Sequence, residues 1–352
     1  MKKIASAFFG LALAVSVGMP DAGAQTLTRT NLKVLGMFST LSADKVAMRP
    51  FWTEHMPKVS RGRVTADYTT YDQMGLKGSE VLRLLKLGVL DFGSGNLAVV
   101  SADFAEFDGL DLFGVIHDLK TMREAMKAYT PVLDKIMEEK YGAKLLYMWP
   151  NPPAVLFCRE PVASVDDLKG KKIRAYSPPL SDFLEGLGAV PVAVAFAEVV
   201  PALQRGTLDC GVTGSLSGNT SKWWEVTKYL YNLPGGLSVW FTAVNINSWK
   251  RLDPAVQKLL TKEFVYVESE LWKNATMQMD QGINCNTGKG ECTLGVKGAM
   301  TLVNASDADK ARLNAVSRDI VLPRWAKRCG EACAANWNNT VGKVLGLKAE
   351  AK

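Results

Sequence analysis

The chain has 352 residues, of which 47% are hydrophobic and 22% are charged, and its formal net charge is +7. This composition is typical of a globular protein with a sizeable core, and the length is enough for two domains. The positive charge is mild and forms no dense basic run, which argues against a nucleic-acid-binding protein.

The N-terminus carries the features of a secretory signal. Lys2 and Lys3 precede an apolar run from residue 4 to about residue 17, and the small residues Ala22–Ala24 follow. This pattern predicts a signal peptide over 1–24 that is cleaved after Ala24. An uncleaved membrane anchor is the alternative. No later apolar run approaches the roughly 20 residues that span a bilayer, so we expect an exported, soluble protein.

Two segments of the chain resemble each other at a constant offset of 118 residues. Residues 80–93 read EVLRLLKLGVLDFG and residues 198–211 read EVVPALQRGTLDCG. Each copy predicts a short amphipathic helix closed by a glycine and followed by a strand. Such units are common, so coincidence remains an alternative to two similar α/β lobes. The identical positions are Glu80/Glu198, Val81/Val199, Leu85/Leu203, Gly88/Gly206, Leu90/Leu208, Asp91/Asp209 and Gly93/Gly211.

Strands and helices are predicted to alternate around the second copy, which favours a mostly parallel sheet covered by helices. A longer helix is predicted to begin at Asp253–Pro254 and to continue past Lys273. The predicted elements are a strand Lys171–Ala175, a helix capped by Ser181 or Asp182 and ending at Leu187, a strand Val190–Val194, a helix Ala197–Gln204 and a strand Leu208–Val212.

Polar residues are predicted where strands of this sheet end, and ligands collect at the carboxyl ends of parallel strands. Arg174 lies at one such end, and the glycine-rich stretches 93–96 and 211–215 lie at others. An arginine buried alone is costly, so Arg174 needs an anionic partner. That partner is either a visiting carboxylate or an internal acid such as Glu198 or Asp182.

The six cysteines all lie in the predicted exported part, where disulfides form. The favoured pairs are Cys285–Cys292 and Cys329–Cys333, with the crossed pairings open. A zinc site is disfavoured because the two histidines lie far from these cysteines in the sequence. Cys158 and Cys210 are predicted to be buried thiols, with a bond between them as the alternative.

Residues 167–211 resemble the TRAP-transporter substrate-binding proteins of the DctP type. The resemblance is carried by D-L-K-G-x-K-I-R, L-G-A-x-P-V and F-x-E-V-x-x-A-L-Q-x-G-x-x-D, and it extends more weakly over most of the mature chain. It implies a two-lobed α/β periplasmic binding protein fold, with mostly parallel sheets flanked by helices and a long hinge-spanning helix. Lobe I would contain 25–151 and about 239–280, and lobe II 152–238 and about 281–352.

The resemblance also implies a function. Such a protein is periplasmic, closes on a small organic acid and delivers it to TRAP membrane permease subunits, without a cofactor. We expect a monomer. The family's carboxylate-clamping arginine corresponds to Arg174. Many relatives have a second arginine at the position of Ala154 and an asparagine at that of Thr213, and the acidic residue of some relatives falls near Asn96.

These departures predict a less charged pocket, with aromatic walls in place of the missing charges. The predicted ligand is therefore a monocarboxylate with an apolar or aromatic body. The candidate ligand-binding residues are Arg174, Thr213, Asn96, Trp240, Phe38, Trp149, Ser94 and Ser215.

Two other classes of function are alternatives. An exported enzyme is disfavoured because the segment GSLSG at 214–218 has Leu216 where a nucleophile would stand, and because no H-E-x-x-H motif is present. A binding protein for another transporter class, or a sensor, is the nearer alternative.

Overall fold

The computed structural model describes residues 27–233 and 235–351. The predicted signal peptide, 1–24, lies outside these residues. Two sheets form the centre of the fold. The first has five strands in the order β2-β1-β3-β10-β4 and the second has six in the order β11-β9-β5-β8-β6-β7. The strands are β1 Thr30–Leu35, β2 Val64–Thr69, β3 Phe92–Asn96, β4 Ala143–Pro150, β5 Ala154–Cys158, β6 Lys172–Ala175, β7 Val190–Ala193, β8 Cys210–Gly214, β9 Tyr229–Asn232, β10 Val239–Asn245 and β11 Thr301–Asn304.

One strand in each sheet runs against all the others. In the first sheet β10 is antiparallel to both β3 and β4, and in the second β5 is antiparallel to both β8 and β9. The other pairings are parallel. The predicted mostly parallel sheets are therefore confirmed, each with one reversed strand.

Helices cover both sheets. The α-helices are α1 Met56–Val59, α2 Tyr71–Met74, α3 Val81–Lys86, α4 Leu119–Tyr141, α5 Pro178–Gly186, α6 Val199–Gln204, α7 Ser215–Thr220, α8 Ile246–Arg251, α9 Pro254–Thr287, α10 Asp307–Val316, α11 Leu322–Asn339 and α12 Val341–Leu345. Shorter π-helical segments are Asp44–Met48, Phe51–His55 and Ser317–Val321, and 3₁₀ turns are Ala105–Leu110, Val165–Leu168, Phe196–Glu198 and Trp223–Glu225. Among these described residues, no helix is both long enough and apolar enough to cross a bilayer.

The long predicted helix is confirmed as α9, which has 34 residues. Its N-terminus is capped by the Asp253 side chain, and Gly288 ends it in the left-handed conformation, with φ +71°. The indole of Trp272 donates to the carbonyl of Met148 in the first sheet, and Asn286 donates to the carbonyl of Ser215 after the second. Thus α9 connects the two halves of the molecule.

The C-terminal helices pack against elements of the first half. The indole of Trp325 donates to the carbonyl of Ala105, and the indole of Trp337 donates to that of Gly109. The prediction placed residues 281–352 in lobe II, but these contacts join α11 to residues of the predicted lobe I. The limits stay a prediction.

Both copies of the internal repeat fold as the predicted unit. Helices α3 and α6 are followed by Gly88 and Gly206, with φ of +69° and +75°, which glycine adopts without steric cost. Asp91 then accepts a hydrogen bond from the backbone of Lys33 at 2.9 Å, and Asp209 accepts one from Lys172 at 2.8 Å. The repeated aspartate thus ties each unit to the neighbouring strand.

Two of the differences between predicted and observed boundaries have a clear local cause. Helix α5 is capped by Ser177, whose Oγ accepts from Leu180 N, and not by Ser181 or Asp182. Prolines at the first two helical positions need no hydrogen-bond acceptor, so the cap lies before them. Strand β8 begins two residues later than predicted, because the backbone N–H of Leu208 donates to the carbonyl of Ala202 in the last turn of α6.

Three disulfides are formed. Cys285–Cys292 and Cys329–Cys333 are confirmed as predicted. The prediction of buried thiols at the other two cysteines is wrong, because Cys158 and Cys210 form a disulfide. Antiparallel pairing of β5 with β8 places these residues opposite each other, with their Cα atoms 4.2 Å apart. This pairing brings together residues that are 52 positions apart in the chain.

Candidate ligand-binding site

A cavity of about 700 Å³ lies between the two sheets, and both sheets contribute to its wall. Strand ends and the segments that follow them line it, as expected for the crevice of an α/β sheet. The first half contributes Phe38, Asn96 and Trp240, and the second contributes Arg174, Thr213 and Phe196.

Arg174 is held at the end of β6 by backbone groups. Its Nε donates to the carbonyl of Val194 at 3.1 Å and its Nη1 to the carbonyl of Val212 at 2.8 Å. Its Nη2 has no hydrogen-bond partner among the described residues. Only 4% of the residue is exposed, and this burial lowers the pKa of Arg174 to about 10, so the side chain stays charged at neutral pH.

The internal acids considered as partners for Arg174 are paired elsewhere. Glu198 lies 3.2 Å from Nζ of Lys77, and Asp182 lies 2.6 Å from Nη1 of Arg328. All four of these side chains lie on the cavity wall. Arg174 is therefore the one charged side chain on the wall that has no oppositely charged partner among the described residues, which contradicts the internal ion pair.

Aromatic rings form much of the remaining wall. The ring centroids of Phe38 and Tyr71 are 5.1 Å apart, and those of Tyr71 and Trp240 are 6.4 Å apart. Phe38 also reaches across the cavity to Phe196, at 5.2 Å. Tyr176 completes the set on the side of Arg174. A flat apolar ligand body could contact rings from both halves.

Five of the eight predicted residues line the cavity: Arg174, Thr213, Asn96, Trp240 and Phe38. The amide of Asn96 is partly used within the protein, since Oδ1 accepts from Ala98 N and Nδ2 donates to Ser238 Oγ.

The other three predicted residues do not reach the cavity wall. Trp149 is 1% exposed and stacks behind Trp240, with centroids 6.3 Å apart. Ser94 lies deeper in β3 than Asn96, and its Oγ shares a hydrogen bond with the hydroxyl of Thr242. Ser215 is 2% exposed and lies at the start of α7, against α9. These three side chains belong to the interior.

Several wall residues were not predicted. Tyr176 follows Arg174 by two positions, a nearness that could have suggested it. Asn151 and Ser238 lie on the two segments where the chain crosses between the sheets, and Asn151 N donates to the carbonyl of Ser238 at 2.7 Å. No sequence pattern marks these crossings, because they are defined only when both sheets are formed. The further missed residues include Tyr71, Phe196, Ser177 and Ser217.

The described residues contain no cluster of three or more His, Cys, Asp or Glu side chains arranged to hold a metal ion.

The chain is similar to known proteins in sequence and in fold. The profile of DctP, bacterial extracellular solute-binding protein, family 7, matches residues 47–317. The chain belongs to this family. The C4-dicarboxylate-binding periplasmic protein DctP of Rhodobacter capsulatus is 28% identical over 209 residues, which are 58% of this chain and 62% of the relative. The match thus spans less than two thirds of that relative's own length.

Solved structures share the fold over nearly their whole length. DctP7 of Bordetella pertussis, an extracytoplasmic solute receptor binding pyroglutamic acid, has a TM-score of 0.79 at 22% identity, covering 90% of this chain and 99% of its own. The periplasmic ectoine-binding protein of the Halomonas elongata TeaABC TRAP transporter has a TM-score of 0.78 at 16% identity, with the same coverage. These similarities confirm the predicted two-lobed α/β fold.

Proposed function

We propose that the protein is the extracytoplasmic solute-binding component of a TRAP transporter. It captures a small organic monocarboxylate in the cavity between its two halves and delivers it to membrane permease subunits. The observation that carries the proposal is Arg174, a buried and charged guanidinium on the cavity wall with no acidic partner among the residues that the structure describes. Membership of the solute-binding family supports the transport role.

The charges on the cavity wall favour a ligand with one negative charge. Lys77 and Glu198 neutralise each other, as do Arg328 and Asp182, so Arg174 leaves a net charge of +1. A carboxylate at its free Nη2 edge compensates that charge and gains a charge-assisted hydrogen bond.

A second anion-binding point near α5 is disfavoured by local chemistry. The positive end of this helix faces the cavity at Ser177 and Pro178. Pro178 and Pro179 have no N–H group, and Leu180 N is already bonded to Ser177 Oγ. The helix terminus therefore has no N–H donor in its first three positions for a second carboxylate, which favours monocarboxylates over dicarboxylates.

The rings of Phe38, Tyr71 and Trp240 favour an apolar or aromatic ligand body. Apolar walls with a few polar groups are typical of small-molecule sites. Pyroglutamic acid, which DctP7 is described as binding, combines a ring with one carboxylate and supports this choice.

Capture is proposed to occur by closure of the two halves. Phe38 contacts Phe196 across the cavity, and the hydroxyls of Thr40 and Ser221 lie 2.8 Å apart. A ligand that contacts Arg174 on one side and Trp240 on the other makes both contacts only when the halves are closed. Its higher affinity for the closed state shifts the population toward closure.

We also propose that the mature protein is a periplasmic monomer. The predicted signal peptide and the family support export. N-terminal sequencing of the secreted protein should begin near residue 25, and light scattering should give the monomer mass.

Thermal unfolding of the mature protein with a panel of acids tests the function. The panel pairs benzoate with neutral benzamide. It also pairs 3,3-dimethylbutanoate with trimethylglycine, which has the same shape but a cationic body. Succinate represents the dicarboxylates and galacturonate the sugar acids. An acid at about 100 times its Kd adds about 2.7 kcal/mol of stability. We expect stabilisation by benzoate or 3,3-dimethylbutanoate, loss of it in Arg174→Met, and retention in the exposed control Arg205→Met. Stabilisation by benzamide with none by any acid contradicts the proposal.

A further inference from the structure

The guanidinium of Arg174 is surrounded by aromatic rings. Its Cζ lies 5.1 Å from the ring centroid of Tyr176 and 5.8 Å from those of Phe196 and Trp223. A cation within about 6 Å of an aromatic face is attracted by the negative face of the ring. Three rings therefore offset part of the cost of burying this charge, where an acid would otherwise be needed.

Trp223 differs from the other two rings because a ligand cannot touch it. Tyr176 and Phe196 line the cavity, whereas Trp223 does not, and its exposed fraction is 0%. The ring is fixed from other sides, with the centroid of Phe157 at 5.5 Å in an edge-to-face arrangement and that of Phe196 at 5.6 Å. Any effect of Trp223 on ligand affinity must act through the residues in front of it.

Gly211 makes room for this ring. In the parallel pairing of β6 and β8, Gly211 is the register partner of Arg174. A Cβ at Gly211 would lie 2.7 Å from Cζ3 of Trp223, a distance that side-chain atoms do not tolerate. The glycine at the end of the second repeat thus allows the Trp223 ring to lie against the strand, beside the guanidinium.

We propose that Trp223 is a positioning residue that stabilises the charged guanidinium of Arg174 and directs it to the cavity without neutralising it. An acidic residue in the same place would also hold the arginine, but it would compete with the carboxylate of the ligand. A ring face supports the cation and leaves its net charge for the ligand. This inference rests on the proposed function, since it assigns the support of the proposed carboxylate-binding group.

Fluorinated tryptophans placed only at position 223 test the inference. Each fluorine weakens the negative face of the ring while the shape is nearly unchanged. The indole N–H of Trp223 has no hydrogen-bond partner in the described part of the chain, so its altered acidity has no direct effect. Calorimetric titration with benzoate and the other panel acids measures Kd for a series of proteins in which the indole ring at position 223 carries zero, one, two, three or four fluorines.

We expect Kd to rise stepwise with fluorine number, by about tenfold in total, and the midpoint of thermal unfolding of the free protein to fall in the same order, because the ring also stabilises the buried charge. Trp224 is the matched control, since its indole donates to the carbonyl of Asn219 and it has no contact with Arg174. The same series at Trp224 should leave Kd unchanged. A flat series at Trp223 overturns the inference while leaving the proposed function intact. Failure of the unmodified protein to bind any acid overturns the proposed function and this inference with it.

Discussion

The Cys158–Cys210 disulfide should contribute more to stability than either of the other two. It joins β5 to β8, and the opposite ends of these strands carry Ala154 and Thr213 on the cavity wall. We consider the double substitution Cys158→Ala/Cys210→Ala. Alanine leaves no polar group in a site where both residues are at most 1% exposed.

The magnitude follows from the length of chain that each disulfide closes. The separations are 52, 7 and 4 residues for Cys158–Cys210, Cys285–Cys292 and Cys329–Cys333, and the chain-entropy relation gives about 4, 2.4 and 1.9 kcal/mol respectively at 25 °C. A longer closed segment gives a larger effect because the cross-link removes more conformations from the unfolded chain.

Urea unfolding followed by circular dichroism and tryptophan fluorescence measures these differences. The free energy of unfolding should fall by about 4 kcal/mol for the Cys158/Cys210 variant and by about 2 kcal/mol for Cys329→Ala/Cys333→Ala. The second variant is the matched control, with the same chemical change and a short closed segment. An equal or smaller loss for the Cys158/Cys210 variant refutes the loop-length reasoning.

Two further predictions concern charged groups around the cavity. Lys77→Glu places two carboxylates across the cleft and should weaken binding of a panel acid by about two- to fivefold, and the double change Lys77→Glu/Glu198→Lys should restore it. Salt at 1 M should weaken binding in the wild type and in the double variant alike, because both keep the ion pair. No recovery in the double variant contradicts an ion pair. Burial raises the pKa of Asp108 from 3.8 to about 8, so the folded state keeps a proton that the unfolded state releases, and stability falls as pH rises from about 4 to about 8. Asp108→Asn should therefore be nearly neutral at pH 4 and stabilising by a few kcal/mol at pH 8 in thermal unfolding. An equal effect at both pH values contradicts a buried carboxyl that keeps its proton.

Local features of the fold were predictable because they depend on residues close together in the chain. Helix α9 begins at its aspartate cap and ends at Gly288, and the predicted start at Asp253–Pro254 agrees. The repeated helix–glycine–strand units were predicted from spacing alone, since a left-handed glycine and an amphipathic turn are encoded within a few residues. The same is true of the disulfides Cys285–Cys292 and Cys329–Cys333.

The sequence also predicted that Arg174 would need a partner for its charge, since a buried guanidinium is costly wherever the chain places it. Only the tertiary structure decided which candidates were available. Glu198 and Asp182 pair with residues from distant segments, and Trp149 lies behind Trp240 because β4 pairs with β10. Pairing between such strands is the sum of many weak contacts over the whole core, so no single stretch of residues encodes it. The cavity wall and the Cys158–Cys210 bond both depend on this pairing of distant strands.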